Sequence, residues 1–152
     1  MGDRMLGPLV ELDPDQAAAA LRPWLGRTPE IVGLRRLTGG CCTNVFEVKP
    51  RGDEPAVVLK VSGETGDAGL ADQYKVLRHI RDETRFPVPE PLFVDTSGAS
   101  IPYAYLILER LPGVHLGEAH LDLSQREALE RSMAEAVAEL HSHTRSTFGR
   151  LA

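Results

Sequence analysis

A chain of 152 residues, 42% hydrophobic and 26% charged, is long enough for one ordinary domain or two small lobes around a cleft, and its composition is globular. A formal net charge of −5 argues against a nucleic-acid surface, which is usually basic and clustered, and no apolar run approaches the roughly 20 residues of a membrane-spanning helix. The only cysteines, Cys41 and Cys42, are neighbours, so no disulfide framework is expected; reduced thiols in a cytoplasmic protein are the simplest reading, and the first residues lack the basic-then-apolar pattern of a secretory leader.

The first structural signal is Asp13-Pro14-Asp15-Gln16, a helix start. Asp13 can cap, Pro14 suits the first helical position and Gln16 can reach back to the cap. The helix is predicted to run to about Leu25, with Pro23 kinking or ending it and Gly26 closing it. Leu21 and Trp24 give it an apolar side suited to packing on a sheet.

Strands follow, predicted at Val32–Leu37 and Val45–Val48. Between them lies Gly39-Gly40-Cys41-Cys42-Thr43-Asn44. Taken alone it is either a plain hairpin connection or a loop whose backbone N–H groups face phosphates, with Thr43 and Asn44 adding polar contacts. After a turn at residues 50–55 comes Ala56-Val57-Val58-Leu59-Lys60-Val61, an apolar run of strand length with one lysine in it. A lysine so placed must snorkel outward, pair with an acid or meet an anion. Its position 20 residues after the Gly-Gly pair shifts the balance toward an anion.

Residues 69–83 read as a helix with Leu70, Gln73, Leu77 and Ile80 on one face, widened by Tyr74 and Val76. Gln73 is polar on a face that should pack on the sheet, either as a half-buried amide or as a partner for Lys60. The alternate prolines of Phe86-Pro87-Val88-Pro89-Glu90-Pro91 force extended chain. A fourth strand is expected over Leu92–Asp95, then a turn, then the strand Tyr103–Leu111, apolar on both faces and therefore central. Pro112-Gly113 breaks it. Ser124-x-x-Glu127 reads as a capping box for a helix to about Ser142, with Leu129, Met133, Ala136, Val137 and Leu140 as its apolar stripe. His141 and His143 are two residues apart and do not share a helix face.

The segments TGGCCTNVFEV, VVLKV, FPVPEPL, YLILERLPG and AVAELHSH, in that order, resemble the N-terminal lobe of the aminoglycoside phosphotransferase and choline kinase-like family, small-molecule relatives of the protein kinases. The resemblance spans nearly the whole chain from about Leu12. It implies an α+β fold with a kinase-like N-lobe, a five-stranded antiparallel sheet with packed helices. Three segments follow from it: a helical segment over 1–30, an ATP-binding lobe over 31–111, and a hinge exit with the start of a helical second lobe over 112–152. Gly39, Gly40, Thr43 and Asn44 would cover the ATP phosphates, and Lys60 would bind the α- and β-phosphates. Leu108 would be the gatekeeper, and the carbonyl of Glu109 and N–H of Leu111 would bracket the adenine edge.

Two departures from the family pattern stand out. The helix after the lysine strand usually carries a glutamate, and the matching residue is Gln73, which can accept a hydrogen bond but not form an ion pair. The catalytic loop of type H-x-D-x-x-x-x-N does not occur in the sequence. No catalytic residue and no metal ligand is therefore assigned; Mg²⁺ is expected only with the second lobe, and the chain alone is not expected to transfer phosphate. The stripe of Leu129, Met133, Val137 and Leu140 would lack packing partners, suggesting a missing lobe, self-association, or a non-catalytic, pseudokinase-like nucleotide-binding or interaction module. The acceptor, a hydroxyl-bearing small molecule in the complete enzyme, is not legible.

Overall fold

Asp13 caps the first helix with a reciprocal pair of bonds: its carboxylate accepts from the Gln16 N–H at 2.8 Å, and the Gln16 side chain accepts from the Asp13 N–H at 3.2 Å. The computed structural model describes residues 9–37, 44–63 and 66–144. Helix α1 spans Pro14–Leu25, passes through Pro23 and ends at Gly26, whose φ of 69° is the left-handed conformation glycine adopts without steric cost.

The remaining elements are β1 (Ile31–Leu37), β2 (Asn44–Pro50), β3 (Val57–Val61), α2 (Ala68–Glu83), β4 (Pro91–Asp95), β5 (Tyr105–Glu109), a 3₁₀ turn at Leu116–Glu118 and α3 (Leu123–Ser142). The strands form one antiparallel sheet in the order β1-β2-β3-β5-β4. The expected α+β class with a five-stranded antiparallel sheet is observed.

Strand lengths follow their partners. β5 is interior and almost wholly buried, as its two apolar faces required, but it is shorter than the predicted 103–111. Five-residue β3 supplies its ladder, and pairing stops at Val57–Glu109 and Val61–Tyr105. β2 runs further than predicted, to Pro50, because Ile31 of β1 stands opposite it.

Side-chain alternation along each strand divides the apolar residues between two faces. Phe46, Val48, Val57, Leu59, Val61, Tyr105 and Ile107 join Ala17, Ala20 and Leu21 of α1 in the larger core. Full burial of a side chain such as Leu21 contributes about 1.5–3 kcal/mol. On the opposite face Leu106 and Leu108 meet Leu70, Tyr74 and Leu77 of α2. Val76, expected to widen that helix face, is instead exposed.

Helix α3 starts earlier than predicted and uses another cap. Asp122, not Ser124, accepts from the Gln125 N–H at 2.9 Å, and Gln125 returns the bond at 3.0 Å. Ser124 instead donates its hydroxyl to Asp122. A carboxylate is the stronger acceptor at a helix N-terminus and also suits the helix dipole. No residue of α3 is buried.

Candidate nucleotide-binding site

The sheet register places two rows of residues across the face that α2 shares. One row reads Leu37, Val45, Lys60, Leu106, Val94; the other reads Arg35, Glu47, Val58, Leu108. Lys60 therefore lies between Val45 and Leu106, on the opposite side of β3 from the fully buried Leu59 and Val61. These apolar neighbours withhold water from its ammonium, and burial pulls its pKa below the usual lysine value. Its Nζ donates to Gln73 Oε1 at 2.8 Å. Both readings of Gln73 meet here: it is half-buried on the sheet-facing side of α2, and it is the partner of Lys60.

One residue pair along β3 from Lys60, about 7 Å at the usual strand rise, lies Val58. Val58, Leu37 and Leu108 of the sheet and Leu111, Pro112 and Val114 of the rim segment after β5 line a cleft of about 550 Å³, together with the charged Arg35, Glu109, Arg110 and Glu118. That volume falls in the range of small-molecule sites. The chain leaves β5 at Glu109 and crosses this rim without regular structure; Gly113, at a φ of 134°, takes a backbone conformation closed to side-chain-bearing residues. Glu109 lines the cleft, and its N–H and carboxylate are engaged on the β4 and α2 side. Its N–H donates to the Glu90 carbonyl at 2.8 Å, and its carboxylate accepts from the Glu90 N–H at 3.0 Å and lies 3.7 Å from Arg81 of α2.

The expected phosphate loop is only partly within the described residues: Gly39, Gly40 and Thr43 lie outside them. Asn44 is described, and the contact expected of its side chain is corrected. It is the first residue of β2, paired with Val61, so its side chain lies on the α1 face, opposite to Lys60. It is buried, and its Oδ1 accepts from the Val10 N–H at 3.1 Å and from Arg36 at 2.8 Å. The side chain of Asn44 thus anchors the loop's C-terminal stem to the segment before α1. Arg36 completes the tie through the Val10 carbonyl and lies over the Phe46 ring, 4.7 Å from its centroid.

Sequence reasoning missed three residues of the cleft face. Glu47 Oε2 accepts from Arg110 Nε at 2.7 Å and from the Arg35 guanidinium at 3.1 Å. The Arg110 bond, assisted by Arg35 and opposed by partial burial, holds the Glu47 carboxyl below the usual range. Opposite charges at 35 and 47 are visible once the β1–β2 register is known; nothing in the sequence brings Arg110 to them. The tripeptide His120-Leu121-Asp122 has the H-x-D spacing, but Asp122 is the α3 cap and residue 127 is glutamate. Among the described residues no group of three or more His, Cys, Asp or Glu is placed to hold a metal ion. Nor, among them, is any helix long and apolar enough to cross a membrane.

A five-stranded antiparallel sheet with a helix-supported lysine beside a cleft and a glycine-bearing exit is a kinase-like N-terminal lobe. The sequence model of the phosphotransferase enzyme family, APH, matches residues 33–151, and the chain belongs to that family. Among solved structures, the fold matches a protein of Ralstonia eutropha JMP134 described as a candidate aminoglycoside phosphotransferase, with a TM-score of 0.67 and 18% identity over 88% of this chain. This chain spans 39% of that protein's length. No curated protein matches the sequence significantly.

Proposed function

We propose that this chain is the ATP-binding lobe of a small-molecule kinase that, as a whole enzyme, transfers the γ-phosphoryl group of ATP to a substrate hydroxyl. The observation that carries this reading is the half-buried Lys60, held by Gln73 on the same sheet face as the cleft at Val58 and Leu108. A cation withheld from water whose hydrogen-bond partner among the described residues is a neutral amide is suited to an anionic ligand. The cleft beside it offers a nucleobase the apolar side chains of Leu37, Val58 and Leu108 on the sheet and a rim at the exposed Leu111.

In this reading Lys60 holds the α- and β-phosphates, and Leu108 limits the depth of the base. The carbonyl of Glu109 and the N–H of Leu111 address the base edge, and Gly39, Gly40 and Thr43 close over the phosphates. ATP supplies the phosphoryl group to be transferred. The chain's own part is to bind and orient it; no general base and no Mg²⁺ ligand is assigned to these residues, and the acceptor site belongs to the rest of the enzyme. In this reading the protein works in the cytoplasm, where ATP is available.

The exposed stripe on α3 and the neutral Gln73 favour a second reading, a non-catalytic nucleotide-binding module that associates through Leu129, Met133, Val137 and Leu140. Met133 and Val137 are 53% and 44% exposed. Calorimetric titration with ADP and ATP tests the nucleotide role common to both readings. Wild type is expected to bind both, and Lys60→Met to lose about tenfold or more, the value of one charge-assisted hydrogen bond. Absence of binding by wild type at millimolar nucleotide overturns it. A coupled assay with a panel of hydroxyl compounds, run with the chain alone and with added candidate second-lobe proteins, separates the kinase reading from the module.

A further inference from the structure

We propose that Arg110 is a positioning residue that clamps the cleft rim to the sheet, so that the backbone at Leu111 is held ready for the nucleobase. The proposal deepens the nucleotide reading and rests on it for the identity of the ligand. Its basis is the path of one side chain. Glu47 stands opposite Val58, and Val58 opposite Leu108, so β3 separates Glu47 from the strand that Arg110 follows. The Arg110–Glu47 bond therefore spans β3 on the face that carries Val58, which lines the cleft. It joins residues 63 apart in sequence. The same guanidinium also donates to the Leu111 carbonyl.

One planar fork thus holds the sheet with Nε and the rim with its terminal nitrogen, a geometry that guanidinium offers and ammonium does not. An isolated surface ion pair would carry little weight. This one differs in three respects. Glu47 and Arg110 retain only 25% and 31% side-chain exposure. Arg35, on β1, holds the same Glu47 oxygen from the other side. And the segment it fixes, from residue 110 to the turn at Leu116, has no regular structure to stiffen it. With the Leu111 carbonyl engaged by Arg110, the orientation of the adjoining peptide groups is set before ligand arrives, which lowers the ordering cost of binding a base.

Two measurements on the full chain test this, with Arg110→Met, Arg110→Lys and Glu47→Gln. Amide hydrogen exchange over residues 110–114 is expected to quicken about tenfold in Arg110→Met, on the scale of one lost charge-assisted hydrogen bond, and by less in Glu47→Gln, whose amide oxygen still accepts, and in Arg110→Lys. Adenosine affinity is expected to drop by a similar factor while tripolyphosphate affinity stays unchanged, because Lys60 is untouched. Unchanged exchange in this segment overturns the clamp. So does an equal loss for adenosine and tripolyphosphate, which would signal a general structural defect. If wild type binds neither probe, the nucleotide reading fails, and the exchange data alone decide whether Arg110 holds the rim.

Discussion

Lys60 Nζ and Gln73 Oε1 stand 2.8 Å apart, so the group that orients this half-buried ammonium carries no charge. The ammonium already makes this bond charge-assisted; a carboxylate in place of the amide would add an ion pair to it, worth about 1 kcal/mol at a partly exposed site. Gln73→Glu is therefore expected to hold Lys60 more firmly and to tighten ADP binding about fivefold by calorimetry, the ratio implied by a difference near 1 kcal/mol. Unchanged affinity would mean that Gln73 does not position the phosphate-binding cation.

Burial of the same lysine sets an alkaline pH dependence. Burial lowers the Lys60 pKa from 10.5, so the unfolded chain binds that proton more tightly than the folded one. Protonated Lys60 therefore costs stability at neutral pH, and the cost fades as pH rises through the folded pKa toward 10.5. Lys60→Met removes the cost. Its melting temperature at neutral pH is expected to equal or exceed wild type by up to a few degrees, with the gap closing as pH approaches the unfolded lysine value. Scanning calorimetry across that range checks it; a variant less stable at neutral pH and equally so at alkaline pH would contradict the sign.

Asn44 offers a test that separates anchoring from ligand contact. Replacement by alanine orphans the Val10 N–H and deprives Arg36 of an acceptor. Leaving buried donors unsatisfied costs about 1–3 kcal/mol, to be read from urea unfolding. Because the side chain lies on the α1 face, tripolyphosphate affinity measured on folded Asn44→Ala should match wild type. A loss of affinity without a loss of stability would return Asn44 to the phosphate site.

The fold was legible where local chemistry and burial agree. Asp13-Pro14-Asp15-Gln16 announced α1, and the continuous apolar run of β5 announced a strand buried on both faces. The lysine of β3 and the glutamine of α2 were paired by periodicity and resemblance together. What escaped depended on the register between distant strands. Asn44 follows the glycine pair so closely that it reads as loop, and only its pairing with Val61 shows which face it takes. Arg110 is ordinary in sequence; it matters because β3 and β5 bring it within reach of Glu47. At α3 the Ser124-x-x-Glu127 pattern points to the wrong cap, because Asp122 and Gln125 repeat the same spacing two residues earlier with a carboxylate as acceptor.

Helix α3 is the element whose stability depends most on its own ends. None of its residues is buried, so it gains little from the tertiary packing that ordinarily supports a helix. What the structure provides instead is the Asp122–Gln125 box at its start and a hydrogen bond from the Arg85 N–H to Glu139 near its end. Asp122→Ala should remove about 1 kcal/mol of capping. Since the sheet lobe does not lean on α3, the loss should appear as reduced far-UV helicity and about fivefold weaker exchange protection along residues 123–142, while the cooperative melting of the lobe stays in place. A partner that covers Met133 and Val137 would mask the effect by supplying the missing packing. The capping loss should therefore shrink when that partner is added, and an equal loss with and without it would show that the partner does not bind this stripe.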